Sequence, residues 1–589
     1  MIRLLLCAAL MLCMPAAFFA QPPAEDDVLL AAMRAELNRA RQLQLEDLDR
    51  PYYIEYAVHD TEMLYASATM GSLADSRVQR ARLPRVRVRV GDYDFDNGNY
   101  IYSDSMVGTA YSLSAFPIDD RPLAIRRHLW LVTDLVYKSA LQVIARKRAA
   151  VKNVTVAEVI PDFSRAEPVK IVQPLKRLAL DRAASENLVR RLSLALRAYP
   201  ALAASGVELQ ISTGGFYFVN TEGTEVRIPE NLVRFQVRAT AQAPDGMALR
   251  DGANFLGRDT GELPTEEDLL AAVRAVGTNL TSLKQAPVGE NYTGPVLFEP
   301  LAAAQLLADM FGRNLGHRRR PIAEPGRALS FAESELEGRI GSRILPEWMD
   351  IVDDPSARDW NGKPLLGQYP VDLEGVVPKP LTIVESGILK TLLSTRQPTK
   401  NRTGSNGRAR LYGNFAANAA SFGNLIVKTS QTASWTDLTR RLAQLCADRG
   451  KPYGLLVRKM DFPSTASGGE FQRMASRMAQ SGGTARMVSQ PLLLYRVYPD
   501  GREELVRGMR FRDLNFRSLR DIAASGGDAV VFSYLENGAP MALMGATSIV
   551  AESSVVAPGL LFEELQLERT EEDLPRLPIV PPPPVEPTS

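Results

Sequence analysis

The chain has 589 residues, more than one ordinary hydrophobic core holds, so two or three domains are expected. Hydrophobic residues make up 45% and charged residues 23%, which is ordinary for a folded soluble protein. Lys and Arg number 69 against 68 Asp and Glu, so no net field exists to steer nucleic acid or an acidic substrate, and no nucleic-acid partner is expected.

At the N-terminus, Arg3 precedes an apolar run from Leu4 to Phe19, followed by Ala20, Gln21, Pro22 and Pro23. One positive charge, a short apolar stretch and small residues before a proline break read as a secretory signal over residues 1–20. The expected location is therefore secreted or periplasmic. No other segment has the length of a membrane span, so no stable span is expected after signal cleavage. Of three cysteines, Cys7 and Cys13 fall in that signal, which leaves Cys446 without an intrachain partner. Its apolar neighbours Leu442 and Leu445 predict a buried core thiol.

Residues 25–46 show helical spacing that ends at Pro51, and residues 52–112 read as strands, with Val86-Arg87-Val88-Arg89-Val90 alternating strictly. These make an N-terminal α/β region over 21–120. A middle α/β region over 121–290 contains helical patterns at 123–150, rich in Lys and Arg on one face, at 182–198 and at 265–284. Its strands, at 207–219 and 225–241, are separated by the turn Asn220-Thr221-Glu222-Gly223. After Pro287 and Gly294 comes a strand at 295–298 and a helix from about 300 to 316. Strands then dominate: a hairpin over 381–393 turning at Glu385-Ser386-Gly387, and runs at 424–428, 454–459, 491–498, 529–534 and 541–550. The expected fold class is α+β, with a mixed N-terminal region and a β-rich C-terminal domain over 291–565. Residues 566–589, charged and then Pro-rich, read as a disordered tail.

Several chemistries are missing from the text. Both Gly-Lys pairs, at 362–363 and 450–451, are followed by Pro, so there is no phosphate-binding loop of the Walker type. No Gly-x-Ser-x-Gly elbow occurs. The three histidines, His59, His128 and His317, are each followed by a residue other than Glu, so no helical His-Glu zinc motif exists. The basic cluster Arg318-Arg319-Arg320 reads as a solvated face.

A family resemblance emerges from residues 295–413. Pro295-Val296-Leu297-Phe298-Glu299, running into Ala302-Ala303-Ala304-Gln305-Leu306-Leu307, resembles the strand and helix that carry the metal motif of the TldD/PmbA family. Asp372-Leu373-Glu374-Gly375-Val376, the hairpin with Glu385-Ser386-Gly387 and the loop from Thr403 to Arg410 are similar to further landmarks of that family. Its peptidase members place His-Glu-x-x-x-His after the two leucines. Here those positions hold Ala308, Asp309 and Arg313. Alanine has no donor atom and arginine does not deprotonate to bind a cation. Asp309 and Arg313, four apart, are placed for an ion pair instead, with His317 continuing the stripe.

The resemblance implies the non-metal subunit of a peptidase-type complex acting on unfolded or extended peptides. It would pair with a TldD-like metal-bearing homologue or with itself, and would need no cofactor. Two alternatives stay open. One is a stand-alone peptidase with a non-standard zinc site built from Asp309, His317 and the pair Asp353 and Asp354. The other is a non-catalytic envelope protein that binds peptides. Arg402, Asn406, Arg408 and Arg410 are substrate-binding candidates, because arginines amid glycines and asparagines suit a peptide carboxylate or backbone. The same composition also fits a solvated loop.

Overall fold

The computed structural model describes residues 27–101, 109–111, 116–152, 160–312, 314–324, 326, 331, 334–412, 417–462, 488–536 and 550–570. The signal expected at 1–20, Arg313, all but the last residue of the strand expected at 541–550, and the end of the tail lie outside them.

The first half is one seven-stranded sheet. Its central strands are Pro51–Thr69 and Leu202–Asn220, flanked by Ser72–Val90 on one side and Glu225–Gln242 on the other. Both regions that the sequence reading separated at residue 120 contribute strands to it. Strand alternation decides what each face meets. Ile54, Tyr56 and Val58 point with Val86, Val88 and Val90 toward the helices Val28–Ala40 and Pro122–Val151. Further along the same face, Leu64 and Ala66 meet the core that includes helices Arg182–Leu194 and Glu266–Gln285. The opposite face, carrying Ala57, Phe216 and Phe218, closes on Val371 of the second half.

The second half is built on an eleven-stranded mixed sheet, so the fold is α+β with a β-rich C-terminal region. The central strand Tyr292–Phe298 lies between Gly454–Met460, parallel, and Ala551–Arg569, antiparallel. Its run Val296-Leu297-Phe298 is continuously apolar because both faces are covered. Val296 and Phe298 share a core with helix Pro300–Gly312, while Leu297 packs with Leu438, Leu442 and Cys446 of helix Trp435–Asp448. Cys446 is thus a buried free thiol.

Three differences from the sequence reading have physical causes. The helix Trp435–Asp448 was not expected, although Ser434 caps it by accepting from the Asp437 N–H at 3.1 Å. The signature Ser-x-x-Asp was available, but a Trp and two threonines at its start obscured the apolar period. The helix at 300 ends at Gly312 rather than about 316, so His317 does not continue its stripe. Finally, Gln566–Arg569 are not tail: they pair with Met509–Arg512.

The hairpin at 385–388 shows how a local rule fixes a landmark. Ser386 and Gly387 have φ of 47° and 74°, the left-handed pair that a two-residue hairpin turn needs. A Cβ on Gly387 would lie 2.2 Å from the Leu345 carbonyl oxygen. Its own N–H donates to Met349 O at 2.9 Å, so the tip is docked against the preceding segment. Glu385 projects outward and pairs with Lys390 at 3.0 Å. Gly387→Ala is expected to cost about 1–3 kcal/mol through combined strain and clash, measured as a lowered midpoint in urea unfolding.

Candidate functional site

The helix Pro300–Gly312 follows its strand directly, and every residue from Ala302 to Gly312 is buried. Ala308 is fully enclosed. Two polar side chains on this helix, Gln305 and Asp309, stand one turn apart on one face. Gln305 Oε1 accepts from the Met460 N–H at 2.9 Å, and Asp309 Oδ2 accepts from the Ser489 N–H at 3.0 Å. Both are therefore backbone anchors, holding the end of strand Gly454–Met460 and the approach to strand Pro491–Val497. A Cβ on Gly312 would come 3.2 Å from Glu536 Oε2 and 3.4 Å from the Tyr534 hydroxyl. Phe462, Phe532 and Tyr534 fill the adjoining space, with ring centroids 5.0 to 5.6 Å apart.

These residues do not fit a zinc ion. Ala308 supplies no donor, the Asp309 carboxylate is engaged by the backbone, and His317 is elsewhere. The His317 N–H donates to Leu393 O at 2.8 Å, and its Nδ1 lies 3.2 Å from Glu337 Oε1. Among the described residues no three His, Cys, Asp or Glu side chains gather as a metal site. The pair Asp353 and Asp354 does not act together either. Asp353 is buried against Arg408, while Asp354 Oδ1 accepts from the Ser356 N–H at 2.9 Å, a turn contact.

The Gly/Asn/Arg loop is packed inward rather than solvated. Arg408 is 1% exposed and spends its donors on Asp353 Oδ2 at 2.9 Å, Asn406 O at 2.5 Å and Lys379 O at 2.7 Å. Burial raises the Asp353 carboxyl, and the Arg408 charge opposes that rise. Arg410 Nη1 donates to Phe422 O at 2.7 Å, and its guanidinium lies over the Tyr369 ring. Asn406 Oδ1 accepts from the Ser394 N–H and its amide donates to Leu392 O, pinning the loop across 12 and 14 residues. Arg402 donates to Gly404 O at 3.2 Å. Arg319 of the basic cluster also turns inward, meeting Asp162 at 3.1 Å and Ile160 O.

Sequence reasoning missed a polar seam between the two halves. The alternation at 86–90 puts valines on the helix side and turns Arg85, Arg87 and Arg89 toward the second half, all nearly or fully buried. Arg85 and Arg87 meet Glu55 at 3.0 and 3.3 Å, Arg87 also faces Glu374 at 3.8 Å, and Arg89 pairs with Asp96 at 2.6 Å. Burial drives the Glu55 carboxyl upward, but Arg87 and Arg85 outweigh it and the net shift is down. His59 bridges the same junction, with Nδ1 2.8 Å from Glu230 and Nε2 2.5 Å from the Tyr412 hydroxyl. Asp372 is pushed up to about 7, first by burial and then by the Glu374 charge, although three backbone N–H groups oppose the shift.

Residues 291–494 match the PmbA/TldA metallopeptidase C-terminal domain. That span contains the buried helix, the hairpin and the Arg-bearing loop. A metalloprotease from Methanothermobacter thermautotrophicus is 29% identical over 181 residues, 31% of this chain and 36% of that protein. Another, from Archaeoglobus fulgidus, is 37% identical over 78 residues, 13% of this chain and 17% of that one. The chain thus spans well under two thirds of the length of these relatives. Among solved structures, TldE from Thermococcus kodakarensis aligns with a TM-score of 0.58 at 13% identity, covering 91% of this chain and all of that one. A Thermotoga maritima protein named for modulation of DNA gyrase aligns at 0.53 and 14% identity, covering 87% of this chain and 96% of that one. At such identities the likeness establishes the fold. The family match thus rests on residues 291–494, which carry a PmbA/TldA-type C-terminal domain.

Two outcomes follow for the seam and the loop. Arg408→Ala leaves Asp353 buried without its cation, so a loss of about 3–5 kcal/mol in unfolding free energy is expected; an unchanged denaturation curve would refute the anchoring role. Asp372 holds its proton more tightly folded than unfolded, where its value is 3.8. Its stabilising contribution is therefore present below about 4 and lost as the pH rises through about 7. Thermal midpoints between these limits should fall more steeply for the native chain than for Asp372→Asn, and parallel profiles would contradict the assignment.

Proposed function

We propose that this chain is an exported PmbA/TldD-type protein that serves as the non-metal subunit of a peptidase-type assembly acting on unfolded or extended peptides. The observation that carries this reading is the helix Pro300–Gly312. At the positions where peptidase members of the family hold a metal, Ala308 has no donor and Asp309 is tied to the Ser489 N–H. The match over 291–494 and the metalloprotease names of two relatives support the peptidase connection. The likeness to TldE supports the fold, and the pairing with a metal-bearing homologue rests on Ala308 and Asp309 at the motif positions.

In this reading the metal-bearing subunit performs the cleavage. The present chain completes the chamber and holds the peptide by main-chain pairing at an open sheet edge, where backbone hydrogen bonds give affinity without selecting side chains. Export rests on the apolar segment after Arg3. An exported protein does not meet DNA, so no gyrase-related role is proposed.

Metal analysis tests this directly, on the chain purified alone and after mixing with a homologue from the same source that carries His-Glu-x-x-x-His. The expected outcome is no stoichiometric metal in the lone chain, and a stable, metal-bearing, peptidase-active complex. Stoichiometric zinc in the lone chain, lost on Asp309→Ala or His317→Ala, would overturn the proposal in favour of an independent enzyme.

A further inference from the structure

The helix Pro122–Val151 runs for 30 residues, about 45 Å. Its inward side is fully used, with Ile125, Leu129, Val136, Ala140 and Ile144 buried in the core beneath. Its outward side is not the polar face that a surface helix normally presents. Leu123 is 71% exposed, Trp130 44%, Leu131 50% and Leu135 57%. Leu45, Leu48 and Ile118, outside the helix, are exposed as well. The loop carrying the first two is tied to this helix, because the Tyr137 hydroxyl accepts from the Leu45 N–H and donates to Asp49 O. Four of the thirteen large apolar side chains exposed by the described residues therefore stand within thirteen positions of this one helix. Such concentration marks an interaction surface rather than scattered exposure.

The pattern on the helix indicates what covers it. Leu123 and Trp130, Arg127 and Asp134, and Leu131 and Lys138 are each seven residues apart, the spacing of a helix–helix seam. The stripe is also self-complementary. A twofold axis between Trp130 and Leu131 sets an antiparallel second copy so that Trp130 meets Leu131 of that copy, and Arg127 meets its Asp134, twice. A parallel copy would instead oppose Arg127 to Arg127. Among the described residues Arg127 has no ion pair, whereas Asp134 has only Lys138 of its own helix, at 2.7 Å. Residues 118–138 carry four basic and three acidic side chains, which matches a self-complementary surface better than the cationic excess that anionic lipid requires.

We propose that the outward face of residues 122–138 is a self-association surface through which two copies of this chain pair by antiparallel helix packing. The proposal is independent of the metal-bearing partner, and the lone chain tests it. Light scattering and sedimentation of the purified chain over a wide concentration range should show a monomer–dimer equilibrium. Trp130→Glu should give a monomer with unchanged circular dichroism and melting. Arg127→Glu and Asp134→Arg should each weaken the dimer about tenfold or more, and the double charge swap should restore it. A monomer at every concentration, or a dimer indifferent to Trp130→Glu, would overturn the proposal. So would single charge variants that the double swap does not rescue. Monomeric chain that binds anionic vesicles through Trp130 would assign the face to lipid and likewise overturn it.

Discussion

A guanidinium group taken out of water must find carboxylates or carbonyls waiting for it, because an unpaired buried charge costs far more than any single packing contact returns. That requirement governs how the two halves of this molecule meet. Arg85, Arg87 and Arg89 leave the sheet of the first half at alternate positions, so their spacing is dictated by the strand. Glu55 on the neighbouring strand meets two of them, and Glu374 and the Asn418 side chain come from the second half. Each half alone would leave part of this set uncompensated. The relative placement of the halves is thus specified by charge register, with the apolar contact of Phe216, Phe218 and Val371 beside it.

The same logic explains the second half's Arg-bearing loop. Arg408 and Asp353 are both essentially inaccessible, and their pairing ties the loop to strand Met349–Asp353. Arg396 extends the pattern, with no exposed surface and both Glu222 and the Ser164 carbonyl as partners from the first half. These arginines hold the frame, and their donors are spent within it on carboxylates and carbonyls of both halves.

Much of the architecture was legible in the sequence because it rests on short-range periodicity. The Val/Arg alternation at 86–90, the helix at 123–150 and the turn at Ser386-Gly387 obey local rules, and the structure follows them. The destination of the polar side of each pattern was not legible. An alternating strand normally shows its charged side to water, and nothing in Arg87-Val88-Arg89 announces that Glu55, Glu374 and Asp96 await it from as far as 287 positions along the chain. Of the two readings open for Arg402, Asn406, Arg408 and Arg410, the solvated loop did not anticipate that Arg408 meets Asp353, 55 positions away, and the Lys379 carbonyl. Helix Trp435–Asp448 was missed because Trp435, Thr436 and Thr439 at its start obscure the period of Leu438, Leu442, Leu445 and Cys446.

The two side-chain anchors on the buried helix bear on how readily this scaffold exchanges roles. Gln305 and Asp309 each hold a backbone N–H, that of buried Met460 and that of half-buried Ser489. Installing a histidine at Ala308 would press an imidazole into a fully buried position, and a glutamate at Asp309 would displace the carboxylate that accepts from Ser489. Neither change is acceptable first, since each alone harms folding before any ligand set exists. The arrangement therefore works as a ratchet. Residues that hold the chain together sit where any change would have to begin, so altering either one calls for compensating substitutions at once.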